Sequence, residues 1–177
     1  LFKKCYLCPM IVLDYGHGID TPGKRSGDLH EWRFNRNVGK WLETELGSRG
    51  IPYEVLVPED LDVGLRTRVE RSKDSTAGLL LSIHGNAFKD ERVHGLETFY
   101  YSQNGKRFAE MLRRELVAEL GWKDRGVKKG NFYIIKKSPQ VAALVELGFY
   151  TNPKQREEML KPEVQYRMAK ALANGIQ

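Results

Sequence analysis

Gly78-Leu79-Leu80-Leu81-Ser82-Ile83-His84-Gly85-Asn86-Ala87 is an apolar run of strand length that stops abruptly at a histidine followed by a turn-forming Gly-Asn pair. An apolar run without polar alternation fits a strand covered on both faces, as in sheets flanked by helices on both sides. The histidine is then delivered at the strand exit, where open α/β sheets place their chemistry. Two other stretches have a matching design. Asp14-Tyr15-Gly16-His17-Gly18 follows the first apolar run, and Glu146 interrupts the last one, Val141 to Leu147.

Outward from this centre, strands and helices alternate. Met10 to Asp14 is a short β-branched and aliphatic run that predicts a first buried strand. Residues 15–28 are rich in glycine and small polar residues and predict a long irregular loop, a length that more often serves function than connection. Glu31 to Leu46 has helical spacing, with Trp32, Phe34, Val38, Trp41, Leu42 and Leu46 as its apolar positions. Strands are expected at Pro52–Val57, Gly95–Tyr101, Asn131–Lys136 and Val141–Leu147, and helices at Val63–Asp74, Lys106–Leu120 and Pro162–Asn174. With no repeat, low-complexity tract or linker, this order predicts a single α/β domain over residues 1–177, with a mostly parallel or mixed sheet of about six strands. Residues 1–9 are expected to form an N-terminal arm.

The bulk properties bound the function. The 177 residues are 41% hydrophobic and 29% charged, values of a soluble globular chain rather than a disordered one. No apolar run approaches the roughly 20 residues of a membrane span. The net charge of +6 suits an anionic partner. The basic residues are scattered, with short clusters only at Lys3-Lys4, Lys128-Lys129 and Lys136-Lys137, so no nucleic-acid partner is expected. Cys5 and Cys8 form an isolated C-x-x-C with no second pair, and two plain thiols are the expectation. The chain opens on Leu1 rather than methionine, so a trimmed or processed product is the expectation, and no export signal is visible in these residues.

His17, Glu31 and His84 all lie beside predicted strand exits or in the loop that follows one. Two histidines and a carboxylate form a ligand set of the kind that catalytic zinc sites use, with a fourth position left for water. Each residue also has a plain structural explanation. His17 between two glycines suits a turn, Glu31 suits the first turn of a helix, and His84 could be a satisfied core histidine. The glycines beside His17 favour a site, since they let the backbone approach a bound ion or substrate closely. Glu146 is the most telling acid, because a carboxylate inside an apolar strand is costly without a partner. Burial raises its pKa and a nearby cation lowers it, which suits proton transfer. A salt-bridged structural acid is the competing explanation.

The segments IVLDYGHG, Glu31 with Asn35, Leu65 with Arg68, LLLSIHGNA, HGLETFYY, Arg125-Gly126-Val127-Lys128 and ALVELGFYTN resemble, in that order, the zinc-dependent N-acetylmuramoyl-L-alanine amidases. The resemblance runs from about Met10 to Ile176. It implies a three-layer αβα fold, a Zn2+ cofactor, and cleavage of the amide between N-acetylmuramic acid and L-alanine in peptidoglycan, at the cell wall. It also implies that His17, Glu31 and His84 are the zinc ligands and Glu146 the catalytic acid. Three positions depart from the family pattern: Tyr15 stands where proline is usual, Gly85 where alanine is usual, and Ser72-Lys73 where Ala-Asn is common. His30 and His94 are secondary candidates, better suited to a substrate groove than to the metal.

Some members of that family carry an inhibitory helix after the histidine strand. Here Phe88 to His94 is too short for one, so an open site with no activator protein is expected. Two alternatives remain at this point: a zinc peptidase or deacylase acting on another amide, and a non-catalytic wall-binding module.

Overall fold

The computed structural model describes residues 10–177. The N-terminal arm with Cys5 and Cys8 lies outside the described residues. The first strand, β1 (Ile11–Tyr15), leads through a small antiparallel ribbon, β2 (Arg25–Ser26) and β3 (Leu29–His30), into helix α1 (Glu31–Ser48). Then follow β4 (Tyr53–Val55), α2 (Leu65–Asp74), β5 (Leu79–Asn86), β6 (Leu96–Tyr100), α3 (Gln103–Leu120), β7 (Asp124–Lys129), α4 (Tyr133–Lys137), β8 (Val141–Phe149), α5 (Pro153–Leu160) and α6 (Pro162–Ile176). The first strand of the ribbon lies inside the stretch expected to be irregular, and the second lies just beyond it. Each is only two residues long, too short to leave a periodic signal.

Six strands form one mixed sheet in the order β4-β1-β5-β8-β6-β7. The first four run parallel, and β6 meets β8 antiparallel. The chain leaving the end of β1 goes to β4 on one side, whereas the chain leaving the end of the adjacent β5 goes to β6 on the other. That is a topological switch point, where a crevice opens beyond the carboxyl ends of the strands.

Alternation along the central strands divides the core in two. Ile11, Leu13 and Tyr15, Leu81 and Ile83, and Ala143, Val145 and Leu147 pack with the apolar residues of α1, α3 and α6. The intervening residues Val12, Leu80, Ala142 and Leu144 pack on the opposite face with Val69 of α2 and with Ile134 and Ile135 of α4. This is the expected αβα sandwich. The second face, continued toward the strand exits, carries Asp14, Ser82, His84 and Glu146, so the side that α2 and α4 cover is the side that becomes polar.

One expected strand is a helix. Residues 131–136 read as a strand from their aromatic and β-branched content, but residues 133–137 form a helical turn. Adjacent Ile134 and Ile135 are both buried in the same core, whereas in a strand they would face opposite sides. The sixth strand is instead β7, Asp-Arg-Gly-Val-Lys-Lys, paired with β6 through Thr98↔Val127 and Phe99↔Lys128. A charged edge strand protects the sheet from further pairing and hides from hydrophobic pattern reading. Helix α5 also went unpredicted, because it buries only Gln155 and Met159. Its sequence signal is Asn152 followed by Pro153: the Asn152 side chain accepts from the Gln155 amide and proline occupies the first turn. Trp41 and Met111, expected on buried stripes, are each 40% exposed, and Trp41 packs edge-on against Tyr166. No described helix is long and apolar enough to cross a membrane.

Candidate active site

The four residues singled out in the sequence line one cavity of about 640 Å³ at the switch point. Each is delivered by a different element. His17 lies in the loop just after β1, Glu31 opens α1, His84 stands near the end of β5, and Glu146 sits opposite His84 in the β5–β8 ladder. Among the described residues, His17, Glu31 and His84 form a group able to hold a metal ion, with one ligand atom from each lying within 4.8 Å of the others. His17 Nε2 is 3.3 Å and His84 Nδ1 3.0 Å from the same oxygen, Glu31 Oε1. The two imidazoles stand edge to face, with centroids 5.4 Å apart.

The backbone is shaped to hold this cluster. His17 has φ 67, the one non-glycine residue with positive φ among those described, a conformation that persists only when its surroundings enforce it. Arg68 of α2 supplies that enforcement. It is buried, and its guanidinium donates to the Tyr15 carbonyl at 2.7 Å and to the His17 carbonyl at 3.2 Å, one on each side of Gly16. It also pairs with Asp14 at 2.6 Å and Asp62 at 2.7 Å, while Asp14 accepts the Ser82 hydroxyl at 2.6 Å. From the other side, Asn35 donates to the Gly16 carbonyl at 3.0 Å. Asn35 lies one helical turn beyond Glu31 and therefore on the same face.

The glycines beside His17 leave room for neighbours within the protein. A β-carbon on Gly16 would overlap the His84 ring, and one on Gly18 would overlap the backbone of Asp62.

Glu31 is nearly enclosed, its side chain 6% exposed. Burial pushes its carboxyl up, but hydrogen bonds from His17 and His84, with their charges, outweigh burial and hold it below the usual carboxylate range. Its second oxygen, Oε2, accepts the Tyr150 hydroxyl at 2.9 Å and the Lys24 amide at 3.2 Å. Burial disfavours the His84 cation, yet the Glu31 hydrogen bond and the charges of Glu146, Glu31 and Asp14 raise its pKa. A cluster of two imidazoles and one carboxylate that already gathers positive charge has the chemistry of a divalent-metal site. Tyr150 and the Lys24 amide then stand behind one ligand, as supporting groups do in such sites.

Glu146 has a different environment. Its Oε2 is enclosed and has no hydrogen-bond partner among the described residues. Its neighbour across the β8–β6 pair is Glu97, which is paired with Arg125 at 2.7 Å and Lys128 at 2.6 Å and accepts from Asn86 at 3.0 Å. Burial, opposed by His84 and reinforced by the charges of Glu31 and Glu97, pushes the Glu146 carboxyl up to about 7. A carboxyl poised there with a free oxygen can take up and release a proton near neutral pH.

The secondary candidates stay outside the cluster. His30 precedes α1 and pairs in the ribbon with Arg25. His94 is exposed, with Nδ1 2.9 Å from the Arg92 carbonyl. The connection from Ala87 to Gly95 contains no helix. Asp62 and Tyr150 were not singled out as site residues. Neither has a local sequence signal: Asp62 matters through its pairing with Arg68, six residues on, and through the charge of His17, and Tyr150 through Glu31, 119 residues away.

A family model described as N-acetylmuramoyl-L-alanine amidase matches residues 11–177. Among curated relatives, the chain is similar to the N-acetylmuramoyl-L-alanine amidase LytC of Bacillus subtilis (strain 168), with 34% identity over 169 residues; the match covers 93% of this chain and 34% of LytC. Among solved structures, it is similar to the N-acetylmuramoyl-L-alanine amidase AmiC2 of Nostoc punctiforme, with TM-score 0.90, 32% identity, and coverage of 95% of this chain and 94% of that one. A second is an N-acetylmuramoyl-L-alanine amidase from Clostridium difficile 630, with TM-score 0.92, 27% identity, and coverage of 96% and 95%.

Proposed function

Because the chain belongs to the N-acetylmuramoyl-L-alanine amidase family, we propose that it hydrolyses the amide between the lactyl group of N-acetylmuramic acid and the L-alanine of the stem peptide, using zinc held by His17, Glu31 and His84. The observation that carries this reading is the gathering of those three ligand atoms within 4.8 Å, in the same cavity as Glu146 with its unpaired oxygen. Two imidazoles and a carboxylate match the donor preferences of catalytic zinc. The chain corresponds to about a third of LytC, so the activity assigned is that of this portion.

A bound divalent ion supplies Lewis acidity, polarising a carbonyl and making water acidic enough to attack at neutral pH. The remaining steps belong to the chain. Arg68 and Asn35 hold the loop that presents His17, and Tyr150 and the Lys24 amide orient Glu31. Glu146 Oε2 accepts the proton of the attacking water. As the tetrahedral intermediate collapses, the same oxygen gives that proton to the departing L-alanine nitrogen, so the acid ends the cycle as it began. The open connection from Ala87 to Gly95 supports access without an activator protein, and the substrate locates the reaction at the cell wall.

Mass spectrometry of digested peptidoglycan tests the bond assignment. Intact stem peptides with a free L-alanine amino group, released from intact glycan strands, are the expected products. Cleavage within the stem peptide would identify a zinc peptidase instead, and an undigested polymer that retains the protein would identify a binding module.

A further inference from the structure

We propose that Tyr150 is a positioning residue for the metal site, its hydroxyl fixing the Glu31 carboxylate and the bare backbone at Gly85 admitting its ring. The inference rests on Glu31 being a metal ligand.

The geometry starts in the sheet. His84 pairs with Glu146, but Asn86 pairs with Phe149, so β8 carries one extra residue between the two pairs. Gly148 sits in that interval with φ 116, a conformation that favours glycine. A bulge of this kind re-aims the residues that follow it. Tyr150 is thereby carried beneath the end of β5, where its amide donates to the Asn86 carbonyl at 3.0 Å. Its side chain is fully buried, and its hydroxyl reaches Glu31 Oε2 at 2.9 Å across 119 residues of sequence.

The ring lies directly on Gly85. A β-carbon there would stand 3.1 Å from Tyr150 Cε1, 3.2 Å from Cδ1 and 3.3 Å from Phe34 Cδ1. Those separations are inside ordinary carbon–carbon contact. An alanine would therefore displace the ring by a few tenths of an ångström, with Phe34 closing the other direction. Gly85, Gly148 and Tyr150 form one device, in which the first leaves room, the second turns the chain and the third delivers a donor.

The two oxygens of Glu31 divide their work. Oε1 faces both imidazoles, while Oε2 is occupied by Tyr150 and the Lys24 amide. Of the two donors to Oε2, the tyrosine hydroxyl is closer and comes from the end of a sheet strand, whereas Lys24 belongs to the loop before the ribbon. Removing the hydroxyl leaves the carboxylate free to rotate out of its ligating orientation, and loss of such a supporting contact typically weakens metal binding by about 10- to 100-fold.

The test is competition for Zn2+ between a chromogenic chelator and the metal-free chain, in the parent and in the Tyr150→Phe, Gly85→Ala, doubly substituted and Glu31→Gln forms. Circular dichroism identifies the folded variants. Tyr150→Phe keeps the ring and removes only the hydroxyl, and it is expected to weaken zinc binding about 10- to 100-fold. Gly85→Ala is expected to weaken it in the parent but to add little once the hydroxyl is gone, because both changes act on one contact. Zinc affinity unchanged in Tyr150→Phe, with Glu31→Gln strongly weakened, would overturn the role of Tyr150 and leave the metal site standing. Losses from Gly85→Ala and Tyr150→Phe that add independently would overturn the role of Gly85. If Glu31→Gln binds zinc as the parent does, the metal reading itself fails, and this proposal with it.

Discussion

Glu146→Gln is expected to lower kcat by about 10²- to 10⁴-fold, the usual contribution of a positioned general acid–base, while zinc affinity stays near that of the parent. The amide occupies the same volume but cannot exchange the proton. The same substitution should stabilise the metal-free chain at high pH. Burial holds the Glu146 carboxyl at about 7 in the folded chain, against an ordinary glutamate value of 4.5, so the folded state binds its proton more tightly than the unfolded state does. The stabilising effect of that proton is complete below pH 4.5 and is lost as pH rises through 7. Above pH 7 the variant, which never ionises, should therefore exceed the parent by about 2 kcal/mol, after discounting for the partial exposure of the side chain. Below pH 4.5 the two should be alike. Urea denaturation of the metal-free proteins at pH 4 and pH 8 measures both ends, and equal differences at the two pH values would show that Glu146 is not held in the environment described.

Arg68→Met should be the more damaging change to the fold. Arg68 and Asp14 each leave only 2% of the side chain exposed. Removing one member of such a pair strands the other charge in the interior at a cost of about 3–5 kcal/mol. The guanidinium also carries the carbonyls of Tyr15 and His17, so the variant that remains folded should bind zinc more weakly as His17 leaves its φ 67 conformation. A shift of the urea midpoint checks the first effect and chelator competition the second. Asp14→Asn in the Arg68→Met background should recover part of the stability, because it removes the stranded charge. It should recover none of the zinc affinity, because the His17 carbonyl stays unheld.

The order of elements was legible because buried strands in this chain are nearly pure apolar runs, and their interruptions mark chemistry. His84 ends such a run and Glu146 breaks one, so both stood out locally. Glu31 was less distinct: a first-turn carboxylate has an adequate local explanation, and it was its place beside a predicted strand exit, together with the order of motifs across the chain, that joined it to the two histidines. The Arg68 network could not be read, since Asp14 and Arg68 are 54 residues apart and nothing in either neighbourhood announces the other. The edge of the sheet was misassigned for a related reason. Ile134 and Ile135 carry strand propensity but satisfy one core from a helical turn, while the true edge strand is mostly charged. Hydrophobic pattern reports burial, and an edge strand has little burial to report.

The central claim is that His17, Glu31 and His84 bind one catalytic zinc ion. Diffraction on either side of the zinc absorption edge, from crystals grown with Zn2+, tests it directly. The account predicts one dominant anomalous peak, about 2.0–2.2 Å from a ring nitrogen of His17, a ring nitrogen of His84 and the Glu31 carboxylate. A dominant peak elsewhere, or none at this cluster under saturating zinc, would contradict it.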